Sequence, residues 1–77
     1  MQLVLQDISL GRNIKALRIS KGYTQAQVVV QMQLMGSTIC RRTFSYIESG
    51  KRNIKASDLI AIKSVLGAQY DDIFRTG

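Results

Sequence analysis

The chain has 77 residues, of which 45% are hydrophobic and 21% are charged, and its net charge is +6. This length predicts one small domain without a deep catalytic pocket. Because the sequence has no histidine and only one cysteine, Cys40, it excludes an internal disulfide, a zinc site and histidine-dependent catalytic centres. We therefore expect neither enzymatic activity nor a cofactor.

The positive charge is concentrated in the middle of the chain. From residue 12 to residue 55 there is one acidic residue, Glu48, and there are nine basic residues: Arg12, Lys15, Arg18, Lys21, Arg41, Arg42, Lys51, Arg52 and Lys55. Such a segment gains affinity for a polyanion by releasing counterions. Many soluble domains are basic without binding nucleic acid, so the charge alone does not decide the function. A lone thiol, with no signal peptide and no long apolar run, predicts a cytoplasmic protein without a membrane partner.

Residues 1–8 form an apolar lead-in, and residues 9–77 are predicted to form the folded domain. The lead-in either packs on the domain or contacts a partner chain, through Leu3, Val4, Leu5 and Ile8. A first helix is predicted from about residue 9 to residue 21, with Ser9 as its N-cap and Gly22 at its end. Its apolar stripe has helical spacing and consists of Leu10, Ile14 and Leu17.

A second helix is predicted to begin at Gln25, with Thr24 as its N-cap. The three consecutive valines at 28–30 would also suit a strand, but the glutamines at 25, 27, 31 and 33 fit a helix with a wet polar face. The side chains predicted to be buried are Val28, Val29, Met32 and Leu34.

After a loop at residues 35–38, a third helix is predicted over residues 41–49, with Phe44 and Ile47 buried and Gly50 ending it. Residues 51–53 then form a basic connector. Ser57 is the predicted N-cap of a fourth helix that Gly67 ends and that buries Leu59, Ile62, Val65 and Leu66. Residues 70–74 form a last short helix with acids in its first turn. The sequence therefore predicts an all-α domain of five helices.

Several segments of the chain together resemble a known family. They are the run from Gly11 to Arg18, the opening Tyr23-Thr24-Gln25, the run from Thr43 to Arg52, the run from Ala56 to Leu66, and residues 70–74. In this order they are similar to the helix-turn-helix family of phage repressors, Cro and xenobiotic-response-element regulators. The resemblance implies a lambda-repressor-like fold and a transcriptional regulator that binds double-stranded DNA with its third helix in the major groove. Because a single module this small covers little DNA, we also expect the protein to be a homodimer.

The resemblance also implies roles for individual residues. Those at the start of the third helix would contact base edges: Arg41, Arg42, Ser45 and Tyr46. A second group would contact the DNA backbone: Thr24, Gln25, Thr43, Ser49, Lys51 and Arg52. Arg18 and Glu48 match a structural ion pair between the first and third helices.

The chain departs from the family between its second and third helices. The number of residues between Thr24 and Glu48 exceeds the spacing usual in the family by about five, and the extra residues lie around 33–39. Either the second helix is a turn longer or the connecting loop bulges, and Ser37 and Thr38 either contact phosphate or bridge the loop. Cys40 occupies an N-cap position, where it is either a tolerated small residue or an acidified, oxidisable thiol.

Two other functional classes remain open at this point. A protein-interaction module could use the same scaffold without touching DNA, and an enzyme would have to work without histidine, a metal set or a carboxylate pair in the middle of the chain.

Overall fold

The computed structural model describes residues 3, 4, 6 and 9–76, and for Val4 it describes the backbone alone. Five α-helices lie in this part of the chain, as the sequence predicts. They are α1 (Leu10–Ser20), α2 (Gln25–Leu34), α3 (Arg41–Glu48), α4 (Ala56–Leu66) and α5 (Tyr70–Ile73). Among the described residues, none of these helices has the length and apolar character needed to span a membrane.

The helices enclose one apolar core, to which all five contribute. Its largest fully buried side chains are Phe44, Leu10, Ile14, Met32, Ile47, Ile54, Ile62, Leu66, Ile73 and Val28. The predicted burial of Leu34 is wrong, because this side chain is 76% exposed. It follows the buried Met32 by two residues, which turns it about 200° around the helix axis, away from the core.

The first helix begins as predicted after Ser9, but the Ser9 side chain makes no capping hydrogen bond. The acceptor comes instead from the lead-in, where Gln6 Oε1 accepts from the backbone N–H of Gly11 at 3.0 Å. Gln6 Nε2 also donates to the carbonyl oxygens of Ile47, at 3.0 Å, and of Arg52. One glutamine thus joins the start of α1 to the end of α3 and to the segment that follows it.

The prediction that Ser57 caps α4 is wrong, since the helix starts at Ala56 and its N-cap is Lys55. The reason is a short antiparallel pairing that the sequence did not reveal, between β1 (Leu3–Val4) and β2 (Ile54–Lys55). The chain passes directly from β2 into α4. The pairing also attaches this part of the lead-in to the domain, whereas Leu5 and Ile8 lie outside the described residues.

The long connection between α2 and α3 spans residues 35–40 and is fixed by hydrogen bonds. Ser37 Oγ donates to Asp58 Oδ1 at 2.7 Å and accepts from the Ile39 backbone N–H at 3.0 Å. Gln33 Nε2 donates to the Ile39 carbonyl at 2.9 Å, and the Ile39 side chain is buried. Ser37 therefore bridges the loop to α4, while Thr38 is exposed.

Close approach of α1 to α3 requires a glycine at position 11. Gly11 is buried, and a Cβ built on it would overlap the Ile47 carbonyl oxygen and lie 2.8 Å from the Glu48 carbonyl oxygen. Both of these atoms belong to the backbone and cannot rotate away. The absence of a side chain at Gly11 thus sets the distance between the two helices.

We expect the substitution Gly11→Ala to lower the free energy of unfolding by about 1–3 kcal/mol, the usual range for overpacking, although alanine is the better helix former. Urea denaturation followed by circular dichroism measures this change. The control is Lys15→Ala at an exposed position of the same helix, for which we expect a change within about 0.5 kcal/mol. Equal effects of the two substitutions would contradict the close packing.

Candidate nucleic-acid interface

Helix α3 has one buried side and one exposed side. Phe44, Ile47 and Glu48 are buried, at 0%, 1% and 6% exposure. The predicted base-contacting residues lie on the opposite side, within an arc of about 140° that also includes Ser49. Among them Arg41, Arg42 and Tyr46 are exposed, and Ser45 is half-buried. The helix thus exposes two guanidinium groups and a phenol to solvent, while its other side is packed in the core.

The carboxylate of Glu48 joins three helices. Arg18 on α1 donates to it twice, from Nε to Oε2 at 2.7 Å and from Nη2 to Oε1 at 3.1 Å. Gln25 on α2 donates from Nε2 to Oε1 at 2.8 Å. The side chains of Arg18 and Glu48 are 11% and 3% exposed, so the pair is sheltered from water. Arg18 Nη1 also donates to the Tyr23 carbonyl at 2.9 Å, which fixes the turn before α2.

The hydrogen bond from Gln25 to Glu48 bears on the part that Gln25 can take in an interface. One N–H of its side-chain amide is engaged by Glu48 Oε1, while its backbone N–H, at the first position of α2, points out of the helix and can meet an anion. Thr24 stands beside it as the N-cap. Thr24 Oγ1 accepts from the Gln27 backbone N–H at 3.1 Å, and Gln27 Oε1 accepts from the Thr24 N–H at 2.8 Å. The hydroxyl proton of Thr24 stays available to a ligand.

The other residues predicted to contact the DNA backbone fall in two places. Ser49, Lys51 and Arg52 are exposed where the chain leaves α3, and the Ser49 hydroxyl donates to the Tyr46 carbonyl at 3.0 Å. Ser49 can therefore accept a hydrogen bond, but it has no free hydroxyl proton. Thr43 lies on the flank of α3, in a cleft that Arg52 also lines.

The ion pair also shapes the charge of this surface. Glu48 is the one acidic residue between residues 12 and 55, and Arg18 neutralises it inside the domain. The remaining eight basic residues of this segment face no acidic residue from the segment itself. Around the exposed side of α3 the segment therefore carries positive charge alone.

Cys40 is the N-cap of α3, and its thiol is exposed. Its Sγ lies 3.3 Å from Thr43 Oγ1. A hydrogen bond from the Thr43 hydroxyl stabilises the thiolate and, with the backbone N–H groups of Thr43 and Arg42, lowers the pKa of Cys40 below its ordinary value. The acidification that the sequence suggested has a local cause, the first turn of the helix.

Sequence reasoning missed three residues that position this surface. Gln27 completes a capping box, and the pattern Thr24-x-x-Gln27 is a recognisable signature for it. The role of Gly11 depends on how closely two helices approach, and that of Gln6 on contacts with residues 41 and 46 positions away. Neither of these two roles leaves a local pattern in the sequence.

Comparison with known proteins supports the fold. No protein-family model matches the chain, and no curated protein sequence matches it significantly. The chain is similar to the crystal structure of the restriction-modification controller protein C.AhdI from Aeromonas hydrophila, with a TM-score of 0.75 and 19% identity. The similarity covers 87% of this chain and 94% of the other. The chain thus has the predicted all-α helix-turn-helix fold, which it shares with that controller protein.

The contacts of Glu48 with Arg18 and Gln25 predict that the protein loses much stability when the charge of Glu48 is removed. We expect Glu48→Gln to lower the free energy of unfolding by about 3 kcal/mol or more, because Arg18 is left as a buried charge without a counter-ion. Urea denaturation measures the loss. The matched control is Asp72→Asn, which breaks the exposed pair with Arg75 and should cost about 0–1 kcal/mol. Similar losses for both variants would show that the Arg18–Glu48 pair contributes no more to the free energy of unfolding than an exposed ion pair does.

The environment of Cys40 predicts a pH dependence. We expect Thr43→Val to raise the pKa of Cys40, because the thiolate loses the hydroxyl that stabilises it. The midpoint of the pH profile for alkylation by iodoacetamide should shift upward, and the rate at pH 7 should fall. Ser45→Ala, on the same helix but away from the thiol, should leave the profile unchanged, and an unchanged profile in Thr43→Val would contradict the assigned cause.

Proposed function

We propose that this chain is a sequence-specific regulator of transcription that binds double-stranded DNA and inserts α3 into the major groove. The observation that carries the proposal is the two-sidedness of α3. Arg41 and Arg42 are exposed at its first turn, while Phe44 and Ile47 hold its other side in the core. An α-helix fits the width of the major groove, and in this fold the third helix is the one placed there.

In this proposal four residues of α3 contact base edges. Arg41 and Arg42 reach O6 and N7 of guanine through bidentate hydrogen bonds, each worth about 1–3 kcal/mol of discrimination. Ser45 and Tyr46 lie one turn further along the same side and contact the neighbouring bases. The hydrogen bonds from Arg18 and Gln25 to Glu48 hold α3 in place, and with it the direction in which all four side chains point.

The groups proposed to contact the DNA backbone flank α3 on two sides. At the start of α2, the backbone N–H of Gln25 and the hydroxyl of Thr24 meet one phosphate, helped by the positive end of the helix dipole. After α3, Lys51 and Arg52 meet phosphates on the other side of the groove, and Ser49 and Thr43 stand beside them. These contacts set the register of the protein and supply affinity that depends on salt.

We further propose that the protein acts in the cytoplasm as a homodimer. A single domain of this size covers little DNA, and two copies reach two half-sites about 34 Å apart on one side of the duplex. The similar solved structure is that of a restriction-modification controller protein, which favours a regulatory role over an enzymatic one.

Selection from a random pool of duplexes at physiological salt tests the proposal. We expect a defined palindromic motif to be enriched. Arg42→Ala should weaken binding to that motif by about 1–3 kcal/mol and relax the preference at one base pair, because a bidentate contact is lost. Lys51→Ala should weaken all sequences alike and reduce the salt slope by about one.

The control for both variants is Arg75→Ala, which removes an exposed charge beyond α5 and should leave the motif and the affinity nearly unchanged. Enrichment of no motif would refute sequence-specific reading. Tight binding to a protein, retained in an Arg41→Ala, Arg42→Ala double variant together with no affinity for any duplex, would identify an interaction module on the same scaffold.

A further inference from the structure

The outward side of α2 is apolar and carries no charge. Residues 24–40 contain no charged side chain, in a chain whose net charge is +6. Ala26, Val30 and Leu34 follow one another at every fourth position, and they form what we call the α2 stripe. Val30 is 51% exposed and Leu34 is 76% exposed, the highest value among the large exposed apolar side chains. Exposed apolar side chains that cluster on one helix face, rather than being scattered singly, can mark an interaction site.

We propose that a second copy of this chain packs on the α2 stripe, with the two α2 helices antiparallel about a two-fold axis that passes through Val30. The inference rests on the proposed function only for the expectation that two copies pair. It adds the surface through which they do so.

The stripe is complementary to itself under this symmetry. Val30 meets Val30 of the second copy on the axis, and Ala26 lies opposite Leu34, so that a small side chain faces a large one. A shallow cleft of about 250 Å³ lies between Ala26, Gln27, Val30 and Gln31. The symmetry places Leu34 of the second copy at this cleft. It also places Leu34 of the first copy at the equivalent cleft of the second.

The polar groups beside the stripe also match. Gln27 and Gln31 lie on the same flank of α2, and the symmetry brings Gln27 of one copy next to Gln31 of the other. Gln27 Oε1 already accepts from the Thr24 N–H, whereas Gln27 Nε2 and the Gln31 amide have no hydrogen-bond partner within the described part of the chain. Gln27 Nε2 can therefore donate to Gln31 Oε1 of the second copy on both sides of the axis.

Charge explains why a second copy fits here rather than at another exposed apolar side chain. Two molecules of charge +6 repel each other, and a contact that includes basic residues adds the penalty of desolvating like charges. Ile19 lies near Lys15 and Lys21 in the sequence, and Lys63 Nζ sits 4.9 Å above the ring of Tyr70. The α2 stripe brings no cation into the contact.

The size of the stripe limits the strength of the contact. A helix of 10 residues is about 15 Å long, and one pair of such helices falls at the low end of specific interface sizes. We therefore expect association with a dissociation constant on the order of micromolar or weaker, a strength typical of transient contacts.

Sedimentation equilibrium without DNA tests the inference over a range of protein concentrations. We expect the unaltered chain to dimerise and Val30→Lys to raise the dissociation constant at least tenfold, because two like charges would meet on the axis. The matched control is Ile19→Lys, which replaces another exposed β-branched residue on a helix, 59% exposed, and should leave the constant unchanged. Circular dichroism checks that both variants fold.

Cysteine crosslinking tests the register, in a Cys40→Ser background. Val30→Cys should form a symmetric disulfide on oxidation. A mixture of Ala26→Cys and Leu34→Cys chains should crosslink to each other faster than either variant crosslinks to itself. Ile19→Cys should show the background rate of random collision.

Three results would overturn the inference: a chain that is monomeric at every concentration, a dimer that Val30→Lys leaves intact, and Val30→Cys crosslinking at the rate of Ile19→Cys. The second result would assign the dimer to another face, such as the one around Tyr70 and Phe74. Because these measurements contain no DNA, their failure would leave the proposed reading of duplexes by α3 untouched.

Discussion

Glu48 receives hydrogen bonds from Arg18 and Gln25 while its own backbone belongs to the last turn of α3, so one carboxylate holds three helices in a fixed relation. A rotation of α3 about its axis would break these bonds, and so would a slide along α1, where Gly11 lets the two backbones meet. The direction in which Arg41 and Arg42 point is therefore set at the opposite end of their helix.

The sequence predicted the helices well because their signals are local. Apolar spacing located α1, α3 and α4, and the polar glutamines correctly favoured a helix over a strand at residues 28–30. The pairing of Leu3–Val4 with Ile54–Lys55 could not be predicted, because two residues are too short for a strand pattern and their partners lie about fifty positions apart. The error at Ser57 follows from it, since the end of that strand determines where α4 begins.

The contacts that hold the candidate site together were less predictable than the side chains that α3 exposes. The resemblance to a family selected Arg41, Arg42 and Tyr46, which are exposed, but it did not predict that the side chain of Gln25 hydrogen-bonds Glu48, beside the contact with the DNA backbone expected of this residue. The burial expected for Leu34 is wrong for a different reason. This residue is apolar, but its position two residues after the buried Met32 turns it to the outward side of α2, so its phase on the helix and not its hydropathy decides its exposure.

The contacts of Gln6 also bear on the order in which the molecule assembles. Its partners at Ile47, Arg52 and Asn53 are 41, 46 and 47 residues away, so the full set of contacts can form only after the chain has been synthesised as far as Asn53. Contacts that close such long loops are slow to form, and segments with few buried contacts are the ones that open locally in the native state. The Gly11 N–H, which is bonded to Gln6, should therefore exchange with solvent deuterium through local opening, before the core unfolds. The segment that follows α3 would then lose its hydrogen bonds to Gln6 and regain them, while the helices stay folded.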